Sequence, residues 1–242
     1  MEKNVWEKII DLWEIYFYMQ PLWYFSMLIA FLFGIKYFKK DKNYSLFLIY
    51  IISGLLIFPS ALFINNINIS SFEKTIITEI SNTLFSIIEI AIFYNYFNNL
   101  LKTKSVLLVM KFCFLSFVIL SIVLFLKLEN QKLLISDISS FSYLLNTAEF
   151  FFLLLPCLVY FYESLNVKII ITKSLKETPS FLISTGLFFY IIVSLPLLLI
   201  GNTLKTYSSN MFHIMFALHY LSLSILFLSL SKAFSCKTPL TT

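Results

Sequence analysis

Residues 74–98 read KTIITEISNTLFSIIEIAIFYNYFN, an apolar run that holds Glu79 and Glu89 in its interior. About 20 mainly apolar residues suffice for a helix to cross the hydrocarbon core of a bilayer. A carboxyl at that depth is energetically expensive and is by default a functional hypothesis. Within the run, Glu79, Asn82, Ser86 and Glu89 follow one another at intervals of three, four and three residues. At about 100° per residue they gather within about 80° of one helix face. That face should not meet lipid.

A second run repeats the device. Ser139, Ser142, Asn146 and Glu149 recur at the same spacing inside residues 136–162, so a second polar stripe also ends in a glutamate. Two such faces in one small bundle are expected to look at each other or at a shared cavity.

Working outward, windows of about 20 apolar residues give seven spans, at 16–37, 44–64, 74–98, 105–127, 136–162, 180–200 and 209–232. Charged residues make up 13% of the 242 and hydrophobic ones 59%; a soluble domain carries about twice that charge. The mean hydropathy is +0.86. The expected fold is all-α, a polytopic membrane bundle of seven transmembrane helices. Links between spans are short, so any chemistry must use the bundle or its rims.

All 18 basic residues are lysine. That usage, with abundant Phe, Ile and Asn, is typical of AT-rich bacterial genomes, and the expected location is a bacterial cytoplasmic (inner) membrane. Cytoplasmic loops collect lysine. The side holding the first-second, third-fourth and fifth-sixth loops and the C-terminus has twelve lysines against six on the other. The N-terminus is therefore expected outside and the C-terminus in the cytoplasm. The net charge of +5 is then a topological signal, and with lysines scattered over separate rims and no arginine to read bases, no nucleic-acid partner is expected.

Glu2, Glu7, Asp11 and Glu14 crowd the first fifteen residues, the opposite of a signal peptide's basic start. Val5, Trp6, Ile9, Ile10 and Trp13 recur at helical spacing. Residues 1–15 are read either as an interfacial amphipathic segment on the outer face or as an extension of the first helix. Residues 233–242 are read as a short cytoplasmic tail. The longest link, Glu163 to Thr178, sets Val167, Ile169, Ile170 and Ile171 among lysines, as a solvated connector or a docking strip for a partner would.

Pro21, Pro59, Pro156 and Pro196 fall inside spans, where neighbours can satisfy the carbonyls they free. Cys113, Cys157 and Cys236 are isolated and read as small apolar packing, not as a disulfide framework or metal site. No GxSxG elbow, HExxH helix, P-loop or dinucleotide fingerprint is present in the sequence. Catalysis of a soluble type, a metal site and a bound cofactor are not expected.

The seventh span offers Asn210, His213, Tyr220 and Ser224 on one face. His219 is turned about 240° from His213 on an unbroken helix, so the two cannot hold one ion side by side. The candidate ligand-binding set is Glu79, Asn82, Glu89, Asn146, Glu149, His213 and His219. The alternative is structural: a carboxyl carried neutral in the bilayer can donate a hydrogen bond and act as interhelical glue.

The stretch from Asn82 through Glu89 to Phe93 and Tyr94, Tyr162–Glu163 closing the fifth helix, and Pro179, Phe181, Gly186 and Tyr190 opening the sixth resemble a group of small seven- or eight-helix membrane proteins common in Bacteroidota. That group has no assigned activity, and its members resemble the membrane-embedded halves of bacterial sensor proteins. The resemblance covers about residues 75–232, with Leu182 where a tryptophan is expected. It implies architecture and a sensory or accessory role, and no chemistry.

Three functional readings follow. The first is a non-enzymatic membrane sensor or accessory module that binds a small or lipidic ligand, or a membrane partner, in a cavity between helices 3, 5 and 7. The second is a small-solute transporter of 3+1+3 architecture, and the third an intramembrane lipid-modifying enzyme. Membrane lipids, and a membrane-protein partner or a second copy of the chain, are the expected company.

Overall fold

A computed structural model describes residues 12–37, 42–66, 70–129, 135–166, 178–207 and 209–236. The amphipathic reading of the segment before Leu12, the docking strip at Val167 and Ile169–Ile171, and the tail beyond Cys236 fall outside the described residues. Among those described there are seven helices and no strand: α1 (Leu12–Tyr37), α2 (Lys42–Asn66), α3 (Ser71–Leu100), α4 (Lys104–Glu129), α5 (Ile135–Asn166), α6 (Pro179–Tyr207) and α7 (Ser209–Ser235). α1 is already helical at Leu12, and α7 runs on to Ser235.

Helix ends follow local chemistry. Ser70 and Glu73 form a reciprocal capping box that starts α3, satisfying backbone N–H groups that no preceding turn can reach. Pro179 stands first in α6, where its missing N–H is not needed. Pro21, Pro59, Pro156 and Pro196 lie inside α1, α2, α5 and α6.

Packing partners define a ring. α1 packs on α2, α2 on α3, α3 on α5, α5 on α6, α6 on α7 and α7 back on α1. α4 stands outside it, against α3 and α5. The window of α4 with mean hydropathy 2.7 is only 17% buried, whereas that of α3, with 1.6, is 39% buried. Water as solvent would invert this order, because the most apolar helix would be the most covered. Phe25, Leu56, Phe112 and Leu144 are each more than 60% exposed, a surface that fits acyl chains. α3 to α7 are long and apolar enough to cross a membrane, and α1 and α2 contribute shorter apolar stretches, Pro21–Tyr37 and Tyr44–Pro59. These are the marks of an integral membrane protein. Cys157 and Cys236 are buried as small apolar packing would have them, but Cys113 is exposed on α4.

The two ends of the ring differ. At the lower end lie the C-terminal halves of α1, α3, α5 and α7 with the N-terminal halves of α2 and α6. Here Tyr44, Phe47, Phe93, Phe97, Phe227 and Phe234 have no exposed surface. Their rings meet edge to face, Phe47 on Phe93 at 5.6 Å and Tyr44 on Phe234 at 5.2 Å, the arrangement the ring quadrupoles favour. The buried hydroxyls have partners: Tyr44 donates to the Ala233 carbonyl (3.3 Å) and Tyr96 to that of Ser180 (3.1 Å). The Glu163 carboxylate accepts from the backbone N–H groups of Lys102 (3.0 Å) and Thr103 (2.9 Å), tying the end of α5 to the turn before α4. The upper end, with the opposite halves of the same helices, encloses a cavity.

Candidate functional site

The cavity measures about 350 Å³ and is walled by all six ring helices, with no described residue of α4 in the lining. α3 supplies Glu79, Asn82, Phe85, Ser86 and Glu89 to it; α5 supplies Tyr143, Asn146, Glu149 and Phe150. The helical spacing read from the sequence turns the α3 stripe and, on α5, Asn146 and Glu149 to the same interior, since three- and four-residue steps stay on one face. α7 adds His219 and Tyr220, which are adjacent in sequence and both reach the cavity. His213 is not among the residues that line it. Side chains of Ser139, Ser142 and Asn210 lie outside those described. Ser224 is buried and donates to the Tyr220 carbonyl at 2.8 Å.

Glu89 and Glu149 are 2% and 3% exposed. Their carboxyl groups face each other across the α3–α5 contact, with Ser86 beside Glu149. Tyr50, from α2, donates its hydroxyl to Glu89 Oε1 at 2.9 Å. Two carboxyls this close cannot both stand as bare anions: they hold a proton or a cation between them. Oε1 of Glu149 is buried with no hydrogen-bond partner among the described residues. Such groups are rare in folded proteins.

Most of the rest of the wall is aromatic, together with Leu197, Leu198 and Leu223. Ring contacts run in ring order from Phe85 on α3 to Phe58 on α2 (4.7 Å), Trp23 on α1 (4.7 Å), Tyr220 on α7 (6.0 Å) and His219 beside it (5.6 Å), then Tyr190 on α6 (5.6 Å) and Phe150 on α5 (5.0 Å). His219 Nδ1 is 2.8 Å from Ser194 Oγ. The Trp23 indole N–H is a second buried group with no partner among the described residues.

Sequence reasoning missed Tyr50, Trp23 and Ser194. The usable signal was position: a Tyr or Trp well inside a span, away from the interfaces where such rings gather, carries a polar handle that must find a partner. A second hollow, about 340 Å³, lies between α4 and α5 and is almost wholly apolar, with Val109, Phe117 and Phe151 in its wall.

No protein-family model, no curated protein and no solved structure matches the chain.

Proposed function

We propose that the chain is a non-enzymatic sensor or accessory module of a bacterial cytoplasmic membrane, which binds a small ligand in the cavity among α3, α5 and α7 and their ring neighbours. All seven helices span, with the N-terminus outside. One observation carries the reading: Glu149 Oε1 and the Trp23 N–H, in the wall of a single cavity, have no partners among the described residues. One can accept and the other donates, and a ligand with complementary groups satisfies both. A volume near 350 Å³ is at the low end for small-molecule sites, about 300–1,000 Å³.

Orientation supports an external ligand. Lys36, Lys102, Lys104 and Lys232 lie toward the packed lower end, which the lysine rule puts in the cytoplasm. The cavity then sits in the outer half. In a chain freed of its native cysteines, an impermeant maleimide added to whole cells should label Asn82→Cys and leave Ser180→Cys unlabelled. Labelling of Asn82→Cys only from the cytoplasmic side would reverse the orientation. No labelling from either side would sink an open ligand site.

The 3+1+3 transporter is the second reading, favoured by α4 standing outside a ring of α1–α3 and α5–α7. Exchanging the two triplets preserves the neighbour order, as a repeat requires. It does not preserve the chemistry: the carboxyls sit on α3 and α5, whose counterparts α7 and α1 bring none to the cavity wall among the described residues. Solute flux into proteoliposomes would favour this reading; binding without flux supports the sensor.

A further inference from the structure

We infer that the ligand of this cavity is a small organic cation, an ammonium group whose charge rests on the Glu89–Glu149 pair and whose carbon atoms lie on the aromatic wall. This rests on the reading of the cavity as a ligand site and adds the chemical class.

Charge comes first. Among the described residues, three glutamates and no lysine line the cavity, and the one imidazole there, His219, has Nδ1 engaged by Ser194. An anion would meet repulsion and no counter-charge. A neutral apolar molecule would leave Glu149 Oε1 and the Trp23 N–H buried and without a partner among the described residues. The positive charge of an ammonium group answers the first, and an oxygen on the same molecule answers the second.

The rings give the other half of the specificity. Aromatic faces attract ammonium groups through their quadrupoles, Trp most strongly, and the attraction grows when water is excluded. Here Trp23, 3% exposed, lies parallel to Tyr220 within 1°. A metal ion has no use for such walls, and among the described residues no group of three or more His, Cys, Asp or Glu could hold one. The ammonium can belong to a free amine or to an ethanolamine lipid headgroup, since both present the same chemistry.

The test uses the full chain in nanodiscs of phosphatidylglycerol alone, with Trp6→Phe and Trp13→Phe leaving Trp23 as the fluorophore. The probes are choline, its uncharged isostere 3,3-dimethylbutan-1-ol, and butyrate. Choline should shift Trp23 emission saturably, the isostere should bind at least about tenfold more weakly, and butyrate should not bind. Glu149→Gln should raise the choline Kd about tenfold or more. If that variant fails to fold, Tyr220→Leu serves instead, weakening choline several-fold and the isostere little. Phosphatidylethanolamine added to the discs should raise the apparent choline Kd if the headgroup is the natural occupant, and leave it unchanged if a free amine is. Isostere binding as tight as choline, or butyrate binding, overturns the cation and leaves the cavity reading standing. No binding by any of the three overturns both.

Discussion

The lower half of the bundle, around Phe93 and Phe234, and the upper half, around Asn146 and His219, are built on the same six helices, yet one is solid and the other hollow. α3 shows how. Before Glu89 its inward positions are Glu79, Asn82, Phe85 and Ser86, with one ring among them; after Glu89 they include Phe93, Tyr96 and Phe97. Short polar side chains cannot fill the space between helices, whereas large rings interlock at crystal-like density. Hollowness is thus written into side-chain size along one helix, and Glu89 sits at the change.

The comparison breaks most visibly through Phe93→Ala. Removing a fully buried ring from the lower half should lower stability by about 3–5 kcal/mol. Phe216→Ala, in the half-buried cavity wall, should cost about 1 kcal/mol or less. Unfolding in mixed micelles reads both, and equal losses would mean that the two halves do not differ in packing.

Glu89→Leu attacks the boundary. It leaves the Tyr50 hydroxyl and one side of Glu149 without a partner, and two orphaned groups at about 1–2 kcal/mol each predict a loss of about 2–4 kcal/mol. Glu89→Gln and Glu149→Gln keep most of the hydrogen bonding and should fold like the wild type, while ligand binding falls. Loss of folding with every substitution would make the pair purely structural. Wild-type binding in all the variants that fold would remove it from the site.

Gly186→Ala tests the close approach of α6 to α7. A Cβ there would lie 2.8 Å from Ser229 Cβ and Oγ, closer than packed atoms tolerate, so the helices must part at about 1–3 kcal/mol. Gly186→Ala with Ser229→Gly should recover most of the loss. No recovery would place the strain elsewhere.

How much of this was legible in the sequence follows from what periodicity encodes. Apolar runs gave the helices, and three- and four-residue polar steps gave the α3 and α5 faces that share the cavity, because both are local properties of one helix. The ring order was not legible: nothing in the α4 sequence sets it outside, and its high hydropathy became informative only beside its low burial. His213 and His219 show the limit. Their relative angle could be read, but which of them faces the interior depends on how α7 is rotated against α1 and α6, a property of three helices. Tyr50 was hidden for the same reason, since its partner lies on another helix 39 residues away.

The smallest effect sharpens the comparison furthest. Tyr50 stands in the packed half, its ring on Phe227 at 5.7 Å and on Phe85 at 5.3 Å, while its hydroxyl reaches across to Glu89 at 2.9 Å. Tyr50→Phe keeps the ring and removes only the donor, so stability should fall by about 0.5–1.5 kcal/mol. A double-mutant cycle with Glu89→Leu should return a coupling energy of similar size, because the second change removes a bond the first has already broken. Additive effects would mean that the hydrogen bond contributes nothing. Tyr50 does not line the cavity, so choline affinity measured in Tyr50→Phe reads something that stability does not. An unchanged Kd confines Tyr50 to packing. A Kd raised several-fold, with the fold intact, would make this hydroxyl the point where occupancy of the hollow half is felt by the solid one.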